Sequence, residues 1–152
     1  MEGLVSLSIG IGLVISLAFS EMLGLTAGGM VVPGYVALYL DRPIIILITL
    51  LASYLTYFIV HSLSAVMIIY GRRRTVLMIL VGFAMGALIR SLGSFQLPMT
   101  TIDLTIIGYI IPGLIAIWID RQGVIESFSS LIIASVIVRI ILILITGGEI
   151  KP

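Results

Sequence analysis

A fourteen-residue pattern that occurs twice constrains this chain more than any other feature. It runs from Gly29 to Arg42 and returns 79 residues later from Gly108 to Arg121. Both copies read Gly-x-x-x-Pro-Gly-x-x-Ala-x-x-x-Asp-Arg, and the other eight positions exchange one apolar or aromatic residue for another. An apolar composition produces Val/Ile matches by chance, but it does not produce this shared order of glycine, proline and charge. We therefore predict an internal duplication.

The composition places this duplication in a membrane. The chain is 61% hydrophobic and 10% charged, with a mean hydropathy of +1.33, whereas a soluble domain carries about 25% charged residues. So few charges cannot cover a globule, so the outer surface must face lipid. We predict a multi-pass protein of the cell membrane, with residues 1–152 as one membrane domain. The start, Met1-Glu2-Gly3, lacks the positive region of a cleaved signal peptide, so we expect the first apolar segment to be retained.

Apolar runs predict an all-α fold with the same order of elements in each half. Repeat 1, about residues 4–70, reads as a long transmembrane helix, a short segment broken by Pro-Gly, and a second long helix. Repeat 2, about residues 75–146, reads the same way, and a cytoplasmic arginine-rich loop at 71–74 joins them. Pro33 suits the first turn of a short helix because its missing N–H would be unpaired there anyway.

The sequence leaves the path of the two Pro-Gly segments open. Each has about 12–16 apolar residues, which is short for a straight span. If they re-enter, the halves are parallel and both termini lie in the cytoplasm with the arginines of the loop. If they cross as discontinuous helices, the halves are inverted and both termini lie outside.

A broken backbone within the membrane is the strongest pointer to a functional site in this sequence. Unpaired N–H and C=O groups survive in lipid only when they are buried in protein or line a wet cavity, and paired breaks in two halves are typical of transport sites. The alternative is that Pro and Gly only kink packed helices. The candidate residues of the two segments are Gly29, Pro33, Gly34, Tyr35, Gly108, Pro112 and Gly113.

Charged residues at segment ends have simpler alternatives. Asp41-Arg42 and Asp120-Arg121 close the two segments, where adjacent opposite charges usually anchor a helix at the interface. Glu21 and Arg90 occupy similar places in the two halves. We hypothesise that they pair, although snorkelling to the headgroups would also satisfy them.

Five further basic residues are candidates. Arg139 lies within the last apolar run, and His61 is at nearly the matching place in the first half. A carboxylate partner would give Arg139 a structural role, and a place beside an anion path would give it a functional one. Arg72, Arg73 and Arg74 are a topology signal and a contact for lipid headgroups, or a docking surface for an acidic cytosolic partner.

No catalytic pattern is present in the sequence. It has no phosphate-binding loop, no zinc-protease motif, one histidine and no cysteine. We therefore expect no catalytic residue, no metal site, no bound cofactor and no nucleic-acid partner.

Three motifs together resemble one known family. Val31-Val-Pro-Gly-Tyr35, Tyr70-Gly-Arg-Arg-Arg74 and Ile111-Pro-Gly-Leu-Ile-Ala116, in this order and spacing, closely resemble the PgsC/CapC family of membrane subunits of bacterial poly-γ-glutamate (capsule) synthesis. The likeness extends over nearly the whole chain, except that the stretch from Ala84 to Asp103 matches no motif of the family.

The resemblance implies partners rather than chemistry in this chain. Members of the family work beside a Mur-ligase-like ATP-dependent ligase, which would bind ATP and the divalent metal, and beside a third, largely extracytoplasmic subunit. The expected function is to anchor the ligase and to help pass the polyanionic polymer outward, with Arg42, Arg121 and Arg139 as candidate charges. A free-standing anion transporter or channel and a purely structural scaffold are the alternatives, and a homo-oligomer is possible.

Overall fold

The computed structural model describes residues 2–26, 28–94 and 110–148. These residues form six α-helices and no strand, which confirms the all-α class. The helices are α1 (Glu2–Leu23), α2 (Val32–Leu38), α3 (Pro43–Val66), α4 (Arg72–Ser94), α5 (Ile111–Gln122) and α6 (Val124–Thr146). Gly108 lies outside the described residues.

Four helices in the described part of the chain are long and apolar enough to cross a membrane. They are α1, α3, α4 and α6, whose candidate spans contain 21 to 24 residues. The prediction of four long membrane helices is therefore confirmed. The two Pro-Gly helices are shorter: α2 has 7 residues and α5 has 12. At 1.5 Å per residue they measure about 10 and 18 Å, less than the ~30 Å hydrocarbon core.

The predicted arginine-rich loop is in fact the first turn of α4. Gly71 adopts a positive φ of 61° and turns the chain. Its carbonyl then accepts the backbone N–H groups of Arg74 and Thr75, so the helix begins at Arg72. Three cations at a helix N-terminus oppose the helix dipole, which is why the sequence favoured a loop there.

The helices group into two compact units, and each unit takes helices from both predicted repeats. Unit 1 comprises Met1–Pro43 and Trp118–Pro152, so it holds α1, α2 and α6. Unit 2 comprises Ile44–Ile117 and holds α3, α4 and the first part of α5. The third helix of each predicted repeat therefore lies in the unit built on the first two helices of the other repeat.

Within unit 1, the Pro-Gly segment runs antiparallel to α1 over most of its length. The Ser16 hydroxyl donates to the carbonyl of Gly29, and the Ser8 hydroxyl donates to the carbonyl of Gly34. Further on, Leu4 packs against the cluster that contains Ala37, Leu38, Val138 and Leu142. The segment thus passes from the C-terminal half of α1 back to its first turn.

Helix α6 also runs antiparallel to α1, so unit 1 has two well-defined ends. Gln122, the last residue of α5, and Ser130, in the first half of α6, bond to Thr26 just after α1. Arg139, near the end of α6, bonds to Asp41 just after α2. We call these the Gln122 end and the Asp41 end. Arg139 lies fifteen residue steps after Val124, the first residue of α6, which is about 22 Å along the helix.

This geometry is the one expected if the segments cross, although the path through a membrane stays a prediction. Asp41-Arg42 closes the first segment at the Asp41 end, and Asp120-Arg121 closes the second segment beside Gln122 at the opposite end. A re-entrant segment would instead return to the end at which α1 finishes.

Helices α3 and α6, the third helices of the two predicted repeats, bury matching positions. Counting back from Val60 in α3 and from Val138 in α6, five buried residues of each helix have the same spacing. They are Thr49, Ala52, Ser53, Thr56 and Val60 in α3, and Ser127, Ser130, Leu131, Ala134 and Val138 in α6. The residue after Val60 is His61 and the residue after Val138 is Arg139, so these two side chains occupy equivalent places in their own units.

Candidate functional site

The first Pro-Gly pair lies where α2 crosses α1. Pro33 and Gly34 are buried, and a Cβ at Gly34 would lie 2.7 Å from the carbonyl oxygen of Ser8. On the facing helix, a Cβ at Gly12 would lie 2.8 Å from the backbone nitrogen of Gly34. Only glycine lets the two backbones approach this closely. The Gly34 carbonyl accepts the Ser8 hydroxyl at 2.6 Å, so a side chain of α1 bonds to the backbone of α2 at the crossing.

The second Pro-Gly pair makes the same crossing in unit 2. A Cβ at Gly113 would lie 2.8 Å from the carbonyl oxygen of Met78, and one at Gly82 would lie 2.5 Å from the Cα of Gly113. Pro112 and Gly113 are buried, like their counterparts. Met78 stands where Ser8 stands in unit 1, so this crossing lacks the hydroxyl bond. Gly82 begins a Gly82-x-x-x-Gly86 pattern, a spacing that permits close helix packing, and it lies at this contact.

The segment that precedes α2 is not helical and is held from two sides. Gly29 has a φ of 114°, a backbone conformation that residues with a side chain rarely adopt. Its carbonyl accepts the Ser16 hydroxyl at 3.0 Å, and a Cβ on it would lie 3.3 Å from the indole Nε1 of Trp118. Gly29, the first residue of the first copy of the pattern, therefore packs against Trp118 of the second copy.

Gln122 fixes the same segment nearer to α1. Its Oε1 accepts both the backbone N–H and the hydroxyl of Thr26, at 3.1 and 3.2 Å. Its Nε2 donates to the Thr26 carbonyl at 2.6 Å, and the Ser130 hydroxyl donates to the same carbonyl at 3.1 Å. A side-chain amide thus replaces the backbone partners that a helix would have given Thr26.

Arg139 closes the other end of the segment. Its Nη2 lies 2.5 Å from Asp41 Oδ2, and its Nη1 donates to the Ala37 carbonyl at 3.2 Å. The side chain of Arg139 is 13% exposed, whereas that of Asp41 is 51% exposed. A carboxylate and a helix-end carbonyl therefore satisfy this arginine, which is the arrangement of a structural cation.

The other predicted charges lie mostly on the surface. Glu21, Arg42, Arg72 and Arg73 are exposed, and Arg74, Arg90, Asp120 and Tyr35 are half-buried. Arg121 is exposed, with its guanidinium 5.3 Å from the centroid of the Trp118 ring. Arg74 donates to the Ser64 hydroxyl at 3.4 Å within unit 2. Glu21 belongs to unit 1 and Arg90 to unit 2, so their pairing stays a prediction.

Within the described ranges, no group of three His, Cys, Asp or Glu residues comes together to hold a metal. A shallow apolar groove of about 400 Å³ is lined by α1 and by Ile141 of α6. It does not touch either Pro-Gly pair. The pairs are helix-packing points in this structure, and the polar contacts concentrate at the two ends of unit 1.

Sequence reasoning did not single out Ser8, Ser16, Thr26 or Gln122. A signal for Ser8 was available, because Ser8-x-x-x-Gly12 has the small-residue spacing of close helix pairs. Gln122 directly follows the second Asp-Arg, where the first copy has Pro43. A polar amide at that place was the only sign of its role.

The fold and this site define a class of protein: a small α-helical membrane protein whose spanning helices enclose a discontinuous segment. The model of the family described as "Capsule biosynthesis CapC" matches residues 11–128. The chain belongs to this family, which confirms the resemblance drawn from the motifs.

Two relatives extend over most of the chain. A "PGA biosynthesis protein CapC" of Bacillus subtilis (strain 168) is 40% identical over 126 residues, 82% of this chain and 84% of the relative. A "Capsule biosynthesis protein CapC" of Bacillus anthracis is 40% identical over 114 residues, 74% of this chain and 76% of the relative. No solved structure shows a significant match.

Proposed function

We propose that this protein is a non-catalytic, multi-pass subunit of a poly-γ-glutamate (capsule) synthesis system in the cell membrane. The observation that carries the proposal is 40% identity, over 82% of the chain, to a relative named for PGA biosynthesis. The ATP chemistry is assigned to a partner, a Mur-ligase-like ligase that binds ATP and a divalent metal. A third, largely extracytoplasmic subunit completes the complex.

The first turn of α4 is the surface we assign to the ligase. Arg72 and Arg73 are exposed and adjacent, and clusters of arginine lie on the cytoplasmic side by the positive-inside rule. Such a cluster attracts acidic protein surfaces and anionic lipid headgroups alike. The arginine cluster would hold the ligase at the membrane and so bring the newly made polymer to the membrane surface.

Passage of the polymer requires cationic groups at both ends of a path, because each residue of poly-γ-glutamate carries one free carboxylate. Arg42 and Arg121 are exposed and belong to opposite ends of unit 1. We assign the contacts with the polymer to these two residues. Arg139 is better explained as a structural cation, since Asp41 and Ala37 already satisfy it.

A second candidate function is that of a scaffold without any polymer path. The burial of Pro33, Gly34, Pro112 and Gly113 in helix crossings favours it, because a sealed crossing offers no room for a polymer. The anchoring role is common to both candidates, so only the fate of the polymer separates them. No contact among the described residues favours a free-standing anion transporter.

The anchoring role is tested in a strain that lacks its own CapC relative and carries a tagged copy of this chain. The double charge reversal Arg72→Glu/Arg73→Glu should lower the ligase recovered with the tagged chain about tenfold or more. Arg42→Glu is the matched control, because it reverses an exposed arginine at the other end of α3. Undiminished recovery with the double variant would remove this surface from the proposal.

The path is tested by where the polymer accumulates. Arg42→Gln/Arg121→Gln should leave ligase recovery normal but shift polymer from the medium into the cells. Unchanged export with this double variant would favour the scaffold.

A further inference from the structure

One exposed face of α3 has a chemistry that does not suit lipid. Its residues follow one another in alternating steps of four and three, the period of a helix–helix seam. They are Leu47, Leu51, Tyr54, Phe58, His61 and Ala65, all of them exposed. We call this face the α3 stripe. Tyr57 lies beside it, with its ring stacked on His61 at a centroid distance of 5.6 Å and 6.5 Å from the ring of Tyr54.

Two exposed positions of α6 that are equivalent to stripe residues are aliphatic instead. Aligning the sequences of the two helices at Val60 and Val138 makes Ile132 equivalent to Tyr54 and Val136 equivalent to Phe58. The exposures are similar, 45% for Ile132 against 41% for Tyr54, and 41% for Val136 against 57% for Phe58. Both positions are therefore aliphatic in α6 and aromatic in α3, and Tyr54 also carries a hydroxyl.

The polar groups of the stripe need partners that lipid cannot supply. Tyr54 is the twelfth of the 24 residues of α3, so its hydroxyl lies near the middle of the span. Tyrosine is normally enriched at the membrane–water interfaces instead. Neither the Tyr54 hydroxyl nor the His61 ring makes a hydrogen bond to the described part of the chain. An unpaired polar group at this depth is unfavourable, so another molecule covers the stripe.

We infer that the α3 stripe is the contact surface for a second copy of this chain. Two copies in one membrane have the same orientation, so a two-fold axis normal to the membrane places α3 parallel to α3. Each residue of the stripe then meets its own counterpart. Such a contact requires that each side chain can pack against, or form a hydrogen bond with, an identical side chain. Every residue type in the stripe can do this.

The self-complementarity is specific to the residue types present. A tyrosine hydroxyl donates and accepts, and a neutral imidazole has one donor and one acceptor. Leucine, phenylalanine and alanine pack against themselves. The stripe contains no Arg, Lys, Asp or Glu, each of which would repel its own copy. A poly-γ-glutamate chain is a poorer occupant, because the stripe contains no Arg or Lys to oppose its carboxylates.

Cysteine cross-linking in membranes tests the dimer directly, because the natural chain contains no cysteine. Single variants Tyr54→Cys, Phe58→Cys and His61→Cys are oxidised in cells that contain the complete synthesis system. Each should give a disulfide-linked band at twice the chain mass. Ile132→Cys and Val136→Cys, at the equivalent positions of α6, and Ile59→Cys, on another face of α3, are the matched controls and should stay monomeric.

A second variant separates specific contact from collision. Tyr54→Phe/His61→Phe keeps the rings and removes their hydrogen bonds, so it should lower cross-linking through Leu51→Cys about fivefold. Absence of cross-links from α3, equal cross-linking from α6, or a cross-link to a protein of different mass would each overturn the inference. These outcomes do not depend on whether the protein exports polymer.

Discussion

Gly34 shows how one missing side chain positions the whole Pro-Gly segment. The Cβ of any other residue would meet the carbonyl oxygen of Ser8 at 2.7 Å. Because backbone rather than a flexible side chain stands in the way, α2 would have to move away from α1. The hydroxyl bond from Ser8 to the Gly34 carbonyl would then lengthen or break.

Gly34→Ala should therefore destabilise the protein, while Gly10→Ala should not. We expect a loss of about 1–3 kcal/mol for Gly34→Ala, the range for overpacked interiors. A Cβ at Gly10 of the same helix pair would meet no atom within 4 Å. Thermal unfolding of the purified protein in detergent measures both. Equal melting temperatures for the two variants would show that the crossing tolerates a methyl group.

The ion pair of Arg139 gives a second test at this scale. Arg139→Leu leaves the half-exposed Asp41 carboxylate and the Ala37 carbonyl without their donor, so we expect a loss of about 1–3 kcal/mol. The double variant Arg139→Leu/Asp41→Asn should cost less than the sum of the single changes, because each removes the same contact. Arg42→Leu, next to Asp41 but exposed, is the control and should change stability by less than about 0.5 kcal/mol.

At the scale of elements, the discontinuous segment depends on side chains from three helices. Ser16 of α1, Gln122 of α5 and Ser130 of α6 bond to the carbonyls of Gly29 and Thr26. The segment has no helical partners of its own at these places. Its shape is therefore imposed by its surroundings rather than by its local sequence.

Gln122 variants should loosen this segment without unfolding the helices. Gln122→Glu keeps an acceptor for the Thr26 N–H but places a carboxylate oxygen against the Thr26 carbonyl, where Nε2 now donates. We expect amide hydrogen exchange around Thr26 to accelerate about tenfold or more. Ser129→Ala is the control, because this exposed hydroxyl bonds only within α6. Unchanged exchange in the glutamate variant would mean that Gln122 does not hold the segment.

The elements themselves could largely be predicted from the sequence. Pro33 predicts the start of α2 because proline costs nothing in the first turn of a helix, and the long apolar runs predict α1, α3, α4 and α6. The partners of these helices could not be predicted. An apolar run indicates burial or lipid contact but not which neighbour it packs against, so the placement of α6 with α1 and of α3 with α4 came only from the structure.

The site was less predictable than the fold for a related reason. Sequence patterns identified the glycines and charges of the repeated pattern, but the bonds that hold the segment come from isolated polar residues. Thr26 and Gln122 are 96 residues apart, and neither belongs to a recognisable motif. Length alone also could not decide between crossing and re-entry, since 12–16 residues suit both.

At the scale of the whole molecule, the crossing arrangement would determine on which face of the membrane each charged residue lies. If each half crosses three times, α1 and α4 begin on opposite faces of the membrane. Glu21 near the end of α1 and Arg90 near the end of α4 then face opposite sides. Pairing of these two residues within one chain stays a prediction for the re-entrant alternative, whereas snorkelling to the headgroups is the interpretation that fits the crossing alternative.

The crossing arrangement also predicts opposite accessibility for the two Asp-Arg pairs. Arg42 follows the segment at the Asp41 end of unit 1, and Arg121 precedes α6 at the Gln122 end. With Arg73 in the cytoplasm by the positive-inside rule, the 24 residues of α3 place residue 42 outside. Residue 121 should then lie inside.

Single cysteine variants at positions 42, 73 and 121 measure this in intact cells, since no native cysteine interferes. A membrane-impermeant thiol reagent should label Arg42→Cys at once, but Arg73→Cys and Arg121→Cys only after permeabilisation. Equal labelling at 42 and 121 would require re-entrant segments. Arg42 and Arg121 would then lie on the same face of the membrane, so they could not contact the polymer at the two ends of a path across it. Reversed labelling at all three positions would keep the crossing but place the arginine turn of α4 outside, where a cytosolic ligase could not reach it.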